Sequence, residues 1–140
     1  MEEAFAGFAA RSSLHRLRDR ISAEVGAGVD VAALHTLSRI GSSGPLRATY
    51  LAERSGLDVS TVSRRIAELE DAGLVTRTRD PDDRRARILQ ITPKGRRVLA
   101  TFRKARSRVL DDALADWPPE EIRSLAVTLS RFTAALSETV

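Results

Sequence analysis

The chain has 140 residues, 42% hydrophobic and 30% charged, a balance that excludes a disordered or membrane-embedded protein and suits one compact domain with an appended dimerisation region. It lacks cysteine, which excludes disulfide frameworks and thiolate chemistry, and has only His15 and His35 as imidazoles, which disfavours a dedicated zinc or copper site, so no cofactor is expected. The net charge is +4, and apart from Lys94 and Lys104 every basic residue is an arginine, a side chain that suits phosphate and guanine edges.

No apolar run approaches the roughly 20 residues of a membrane span. Met1 is followed by Glu2 and Glu3 rather than by a basic, then apolar, leader. A cytoplasmic location away from membranes is therefore expected.

From about Glu3 to Val25, Leu14, Leu17, Ile21 and Val25 recur at helical steps, and Gly26 and Gly28 stop the pattern. Asp30 is a candidate N-cap for a second helix through Leu34, Leu37 and Ile40, and Gly41–Pro45 reads as a turn. A short helix is predicted over Leu46–Ser55, broken by Gly56. Asp58 caps the next helix, which runs to about Ala72 with Val59, Val62, Ile66 and Leu69 on one face, and Gly73 ends it. Helix, glycine-containing turn and helix form the helix-turn-helix pattern.

Strands are predicted over Leu74–Thr78 and Arg87–Ile91, joined by the charged loop from Asp80 to Arg85. A hairpin placed directly after a helix-turn-helix is a wing. Thr92-Pro93 opens a helix to about Ala115, with Val98, Phe102, Ala105, Val109 and Asp112 on one face. After Pro118-Pro119 a last helix carries Ile122, Leu125, Leu129, Phe132 and Leu136, a narrow seam of coiled-coil type.

The chemistry lies in the middle of the chain. Between Thr76 and Arg108 the basic residues are Arg77, Arg79, Arg84, Arg85, Arg87, Lys94, Arg96, Arg97, Arg103, Lys104, Arg106 and Arg108, against only Asp80, Asp82 and Asp83. A solvated helix face is the plain alternative for such a run. On the helix from Val59 to Ala72, Ser60, Thr61, Arg64, Arg65 and Glu68 are expected to point outward, with Ser63 at the boundary. Hydroxyls and guanidinium groups on the N-terminal half of such a helix suit phosphates and major-groove base edges. Arg77 extends this candidate DNA-binding set into the first strand. Arg84 and Arg85 at a hairpin tip suit a narrow minor groove.

The segment from Leu46 to Leu99 resembles the MarR family of winged-helix transcriptional regulators. The marks are LAERSGLDVSTVSRRIAELEDAGLV, DPDDRR and the run Ile91-Thr92-Pro93-Lys94-Gly95. The resemblance implies a mainly α fold with a small β-hairpin wing, flanked by N- and C-terminal dimerisation helices. It implies one domain over 1–140, with a winged helix-turn-helix lobe at 30–92 and a dimerisation lobe from 1–28 and 93–140. It further implies a homodimer on a pseudo-palindromic double-stranded DNA operator, acting as a repressor. Recognition helix 59–72 would enter the major groove and wing 80–87 the minor groove. By the same analogy Arg84 or Arg85 reaches the minor groove and Asp83 orients it. Many relatives bind small aromatic acids or phenols between lobes. Arg11, His15, His35 and Arg39 are the candidate ligand-binding groups here, although a lone helical histidine is more often an ordinary surface residue.

The sequence departs from the family pattern at Arg47-Ala48-Thr49-Tyr50, where many relatives have a smaller polar run, and at Pro118-Pro119, where a side-chain cap is missing. A module for nonspecific DNA architecture or protein contacts is the competing reading. Ser60, Thr61, Arg64 and Arg65 favour sequence-specific binding over it, because a protein-docking face usually exposes apolar anchors. An enzyme is disfavoured: the chain has no glycine-rich phosphate loop, cysteine nucleophile or histidine-rich metal pattern.

Overall fold

The computed structural model describes every residue except Met1, Ala10, Pro81, Asp82, Arg84, Arg85, Thr139 and Val140; for Ala4, Phe5, Phe8, Ala9, 11–14 and 136–138 the backbone alone is described. In chain order the elements are α1 (Glu2–Ala9), α2 (Arg11–Val25), α3 (Val31–Ser43), β1 (Leu46–Arg47), α4 (Ala48–Ser55), α5 (Val59–Asp71), β2 (Val75–Arg79), β3 (Arg87–Ile91), α6 (Pro93–Ala113) and α7 (Pro119–Glu138). They form two compact units, Met1–Arg106 and Ser107–Val140.

The first unit holds the core. Leu34, Leu37 and Ile40 of α3, Leu51 and Ala52 of α4, and Val62, Ile66 and Leu69 of α5 are all buried, together with Leu89 of β3 and Leu99 and Phe102 of α6. The strands form an antiparallel sheet in the order β1-β3-β2, with Leu46 opposite Leu89 and Val75 opposite Ile91.

Several boundaries differ from the sequence reading. The first predicted helix, about Glu3 to Val25, is covered by α1 and α2, and Ala10 between them lies outside the described residues. Asp30 caps α3 as expected, its carboxylate accepting from the Ala32 amide at 3.2 Å, but α3 runs on through Gly41 to Ser43. The reason is tertiary. A Cβ at Gly41 would lie 2.6 Å from Leu99 Cδ2 and 3.3 Å from Ile91 Cδ1, so the glycine lets α3 approach that layer closely. This packing outweighs the roughly 1 kcal/mol that glycine costs a helix. Gly44, at φ 72°, then ends it.

Leu46, predicted as the start of a helix, lies instead in β1, where its buried side chain sits opposite Leu89. On α5, Val59 is 66% exposed and does not join the buried row of Val62, Ile66 and Leu69. The end of α5 is closed by two backbone bonds, Gly73 N–H to the Glu70 carbonyl and Leu74 N–H to the Leu69 carbonyl, both at 2.8 Å. This is the Schellman arrangement, with buried Leu69 and Leu74 as its apolar pair. Because the Leu74 amide serves the cap, β2 starts one residue later than predicted.

On α6 the buried row is Leu99, Phe102, Ala105 and Val109; Val98 is half-buried and Asp112 exposed. The helix ends at Ala113, two residues short of the expected Ala115. In the second unit α7 begins at Pro119, and the Pro118 carbonyl accepts from the amides of Glu121 at 3.0 Å and Ile122 at 3.2 Å. A backbone carbonyl thus closes a start that lacks a side-chain cap, and proline at the first helical position wastes no donor. On α7 Ile122 and Leu125 are half-buried, whereas Leu129 and Phe132 are 44% and 42% exposed. Phe5, Phe8, Leu14 and Leu136 lie outside the described side chains. Among the described residues no helix is long and apolar enough to cross a membrane.

Candidate nucleic-acid interface

The exposed surface of α5 starts from its cap. Asp58 Oδ1 accepts from the Thr61 amide at 2.8 Å and from the Ser60 hydroxyl at 2.5 Å. The Ser60 bond first, then those from Thr61, hold the Asp58 carboxyl far below its ordinary range. The Ser60 proton is thereby committed to Asp58, which leaves its oxygen as an acceptor toward any approaching group.

Beyond the cap, α5 presents two rows. Ser60, Ser63 and Arg64 are exposed, one turn apart along the outer face, with Val59 beside them at the first position. Thr61, Arg65 and Glu68 form a second, half-buried row. They do not point straight outward as the helical pattern suggested, because that row borders α3. Glu68 Oε1 accepts from the Asp30 amide at 2.6 Å, and Arg65 is one of the cations acting on His35 of α3.

The β2–β3 hairpin carries the second cationic surface. Arg77 is bonded by its Nε to both carboxylate oxygens of Glu70, at 2.9 and 3.0 Å, so part of its charge is answered by α5 itself. Arg79 and Arg87 are cross-strand partners at the hairpin stem, and both are exposed. Like charges directly opposite one another destabilise a strand pair, a cost that an approaching anion removes. The periodicity of each strand alone does not reveal this pairing; the hairpin register does.

Loop 80–86 is closed by backbone bonds from the Asp80 amide to the Ala86 carbonyl at 3.1 Å and from the Ala86 amide to the Asp83 carbonyl at 2.9 Å. Arg84 and Arg85 lie outside the described residues. Arg47 of β1 enters this region. Its Nε and Nη2 donate to Asp80 Oδ2 at 3.0 and 2.7 Å, and Nη2 lies 3.5 Å from Asp83 Oδ2. Sequence reasoning gave Arg47 no role; the pair spans 33 residues, and no local pattern announces it.

Comparison with known proteins agrees with this geometry. The MarR family model matches residues 30–86. The uncharacterised HTH-type transcriptional regulator YxaD of Bacillus subtilis is 33% identical over 99 residues, covering 71% of this chain and 69% of YxaD. The chain belongs to the MarR family. The crystal structure of MarR superposes with a TM-score of 0.78 at 25% identity, over 90% of this chain and 86% of MarR. FabT of Streptococcus pneumoniae, at 18% identity, shares the fold with a TM-score of 0.78 over 100% of both chains. This MarR-family chain is a DNA-binding transcription regulator of winged-helix fold, in which α4 and α5 form the helix-turn-helix and the β2–β3 hairpin follows it.

The four candidate ligand groups are placed as follows. Arg11 lies outside the described side chains. His15 faces Asp19 on α2 at 3.6 Å. His35 sits edge-on against Phe102, ring centroids 5.2 Å apart, and partial burial lowers its pKa, reinforced by the charges of Arg106, Arg18, Arg39 and Arg65. Arg39 donates to the Arg54 carbonyl at 3.0 Å and lines a pocket of about 150 Å³ with Tyr50 and Arg54. The structure thus brings His35 and Arg39 into one electropositive neighbourhood. Tyr50 is exposed, and its hydroxyl accepts from Arg54 at 3.3 Å.

Proposed function

We propose that this regulator acts as a homodimer on a pseudo-palindromic DNA operator. Each α5 enters a major groove and each wing a flanking minor groove, and binding represses transcription. The observation that carries this reading is the exposed row of Ser60, Ser63 and Arg64 on the N-terminal half of a helix whose opposite face is locked into the core. Arg64 reads a base edge, Ser60 accepts from a base amino group, and Val59 meets a thymine methyl. Thr61, Arg65 and Arg77 hold the helix against the backbone, and Arg79 and Arg87 take phosphate at the wing stem. Arg84 and Arg85 occupy the minor groove, with Asp83 orienting them. The FabT structure was solved in complex with DNA, which supports the docking of a like fold.

The dimer would form through the lobe from 1–28 and 93–140, with residues 30–92 as the DNA lobe. Exposed Leu129 and Phe132 support this assignment, since a symmetric partner would cover them. Sedimentation of a Leu129→Asp, Phe132→Asp variant tests it; a folded dimer would refute the seam. A small aromatic or phenolic effector would enter beside His35 and Arg39, with Arg11 and His15 as further polar groups, and release the DNA. The role is binding in the cytoplasm, without catalysis. Selecting bound duplexes from genomic fragments tests the whole reading: a shared inverted repeat with half-sites about one helical turn apart supports it, and an unordered pool refutes it.

A further inference from the structure

We propose that Arg47 is a positioning residue that sets the wing for DNA, acting through Asp80 and Asp83. Arg47 belongs to β1, the edge strand that leads into α4, and pairs with Ile88 of β3. Its guanidinium reaches back to the start of the wing loop at Asp80 and to its middle at Asp83, at 2.7 and 3.5 Å. Asp80 is 9% exposed, so its carboxylate needs a cationic partner to remain in place. Both Arg47 nitrogens converge on one Asp80 oxygen, leaving the second Nη2 contact to hold Asp83.

The consequence is geometric and electrostatic together. Arg47 places positive charge beside Asp80 and Asp83 from the protein side, where an incoming phosphate backbone would meet their carboxylates. It also ties the loop to the entry of α4, so the wing and the helix-turn-helix are held by the same side chain. Holding Asp80 and Asp83 in place before DNA arrives reduces the entropy lost on binding. The position that a side-chain cap of α4 would occupy is spent on this tie, for Arg47 makes no cap bond of its own.

The inference rests on the reading that the wing meets the flanking minor groove, and the test separates the two. Amide exchange in the free protein is measured at Asp80 and Ala86, whose bonds close the loop. Affinity and hydroxyl-radical footprints are measured on the selected duplex for wild type, Arg47→Ala, Arg47→Lys, Asp80→Asn and the Arg47→Ala, Asp80→Asn double variant. Arg47→Ala should speed exchange at both amides and weaken binding about tenfold, a coupling of ordinary size between contacting groups. The flanking minor-groove footprint should fade while the major-groove footprint persists. Asp80→Asn added to Arg47→Ala should cost little more, because the tie is already lost. Arg47→Lys should rescue only part of the loss, because an ammonium cannot match the two-nitrogen geometry. Unchanged exchange at both amides overturns the proposal, as does an additive double variant whose salt slope falls by about one, the mark of a plain phosphate contact. Faster exchange with an unaltered minor-groove footprint keeps the tie but refutes its role in DNA binding.

Discussion

Gly95 rests directly on the carbonyl of Leu74. A Cβ at that position would fall onto the Leu74 oxygen and crowd Ile91 Cγ1 at 2.8 Å. The same carbonyl accepts from the Thr92 amide at 3.0 Å, Thr92 Oγ1 donates to the Gly73 carbonyl at 2.8 Å, and Lys94 Nζ donates to the Ala72 carbonyl at 2.7 Å. The run Thr92-Pro93-Lys94-Gly95 is therefore the clasp that fixes the start of α6 to the end of α5. Gly95→Ala should lower unfolding free energy by about 1–3 kcal/mol, as overpacking does, which urea denaturation would read. An unaffected midpoint would mean that the backbone yields there at no cost.

The cap of α5 gives a pH signature. Hydrogen bonds from Ser60 and Thr61 depress the Asp58 pKa in the folded state, so the native protein binds fewer protons there than the unfolded chain. Stability from this group is fully present above its ordinary value of 3.8 and is lost as pH falls toward the folded value. Wild type should exceed Asp58→Asn in urea midpoint at neutral pH, with the gap closing only in acid. A gap independent of pH would show that the ionisation of Asp58 is not what stabilises the cap.

Much of this fold was legible because its punctuation is local. Asp30 and Asp58 announce α3 and α5, Gly56 and Gly73 end α4 and α5, and the limits of β3 follow from its own residues. What escaped depends on partners far along the chain. The two residues of β1 are too few for a period and exist because β3 lies beside them. Gly41 reads as a turn residue until Leu99 and Ile91 are placed against it. Glu68 looks like a surface carboxylate until the Asp30 amide, 38 residues away, supplies its bond. Of the candidate site, the exposure of Ser60 and Arg64 follows from helical spacing alone, whereas Ser63, expected at the boundary, is exposed, and Thr61, Arg65 and Glu68, expected outward, are half-buried. The opposition of Arg79 to Arg87 needs the hairpin register, and the reach of Arg47 to Asp80 needs the whole sheet.

Recognition should divide between Arg64 and Val59. Arg64→Ala should cost about 1–3 kcal/mol on the selected duplex and much less on random DNA, if its bond is to a base edge. Replacing thymine by uracil removes only a methyl group, so it should weaken wild type at one half-site position and leave Val59→Ala unaffected there. Equal losses on both duplexes would assign Arg64 to phosphate, and uracil indifference in wild type would remove Val59 from base reading.

His35 should make stability fall on mild acidification. Its pKa is lowered by partial burial and by Arg106 of α6, Arg18 of α2, Arg39 of its own helix and Arg65 of α5. Between the folded value and the ordinary value of 6.5 the unfolded chain binds more protons, so stability rises with pH across that window. Lowering the pH through it should reduce the melting temperature of wild type more than that of His35→Gln. Parallel curves would show that the surrounding arginines do not act on the ring.

The central claim is that α5 reads base sequence rather than merely charge. The most direct measurement is the affinity of wild type for the selected duplex and for a random duplex of equal length, titrated across salt. Both affinities should fall steeply with salt through the arginine–phosphate contacts, while their ratio stays at or above about 10³. Two curves that coincide at every salt concentration would contradict the account and leave a protein that binds DNA by charge alone.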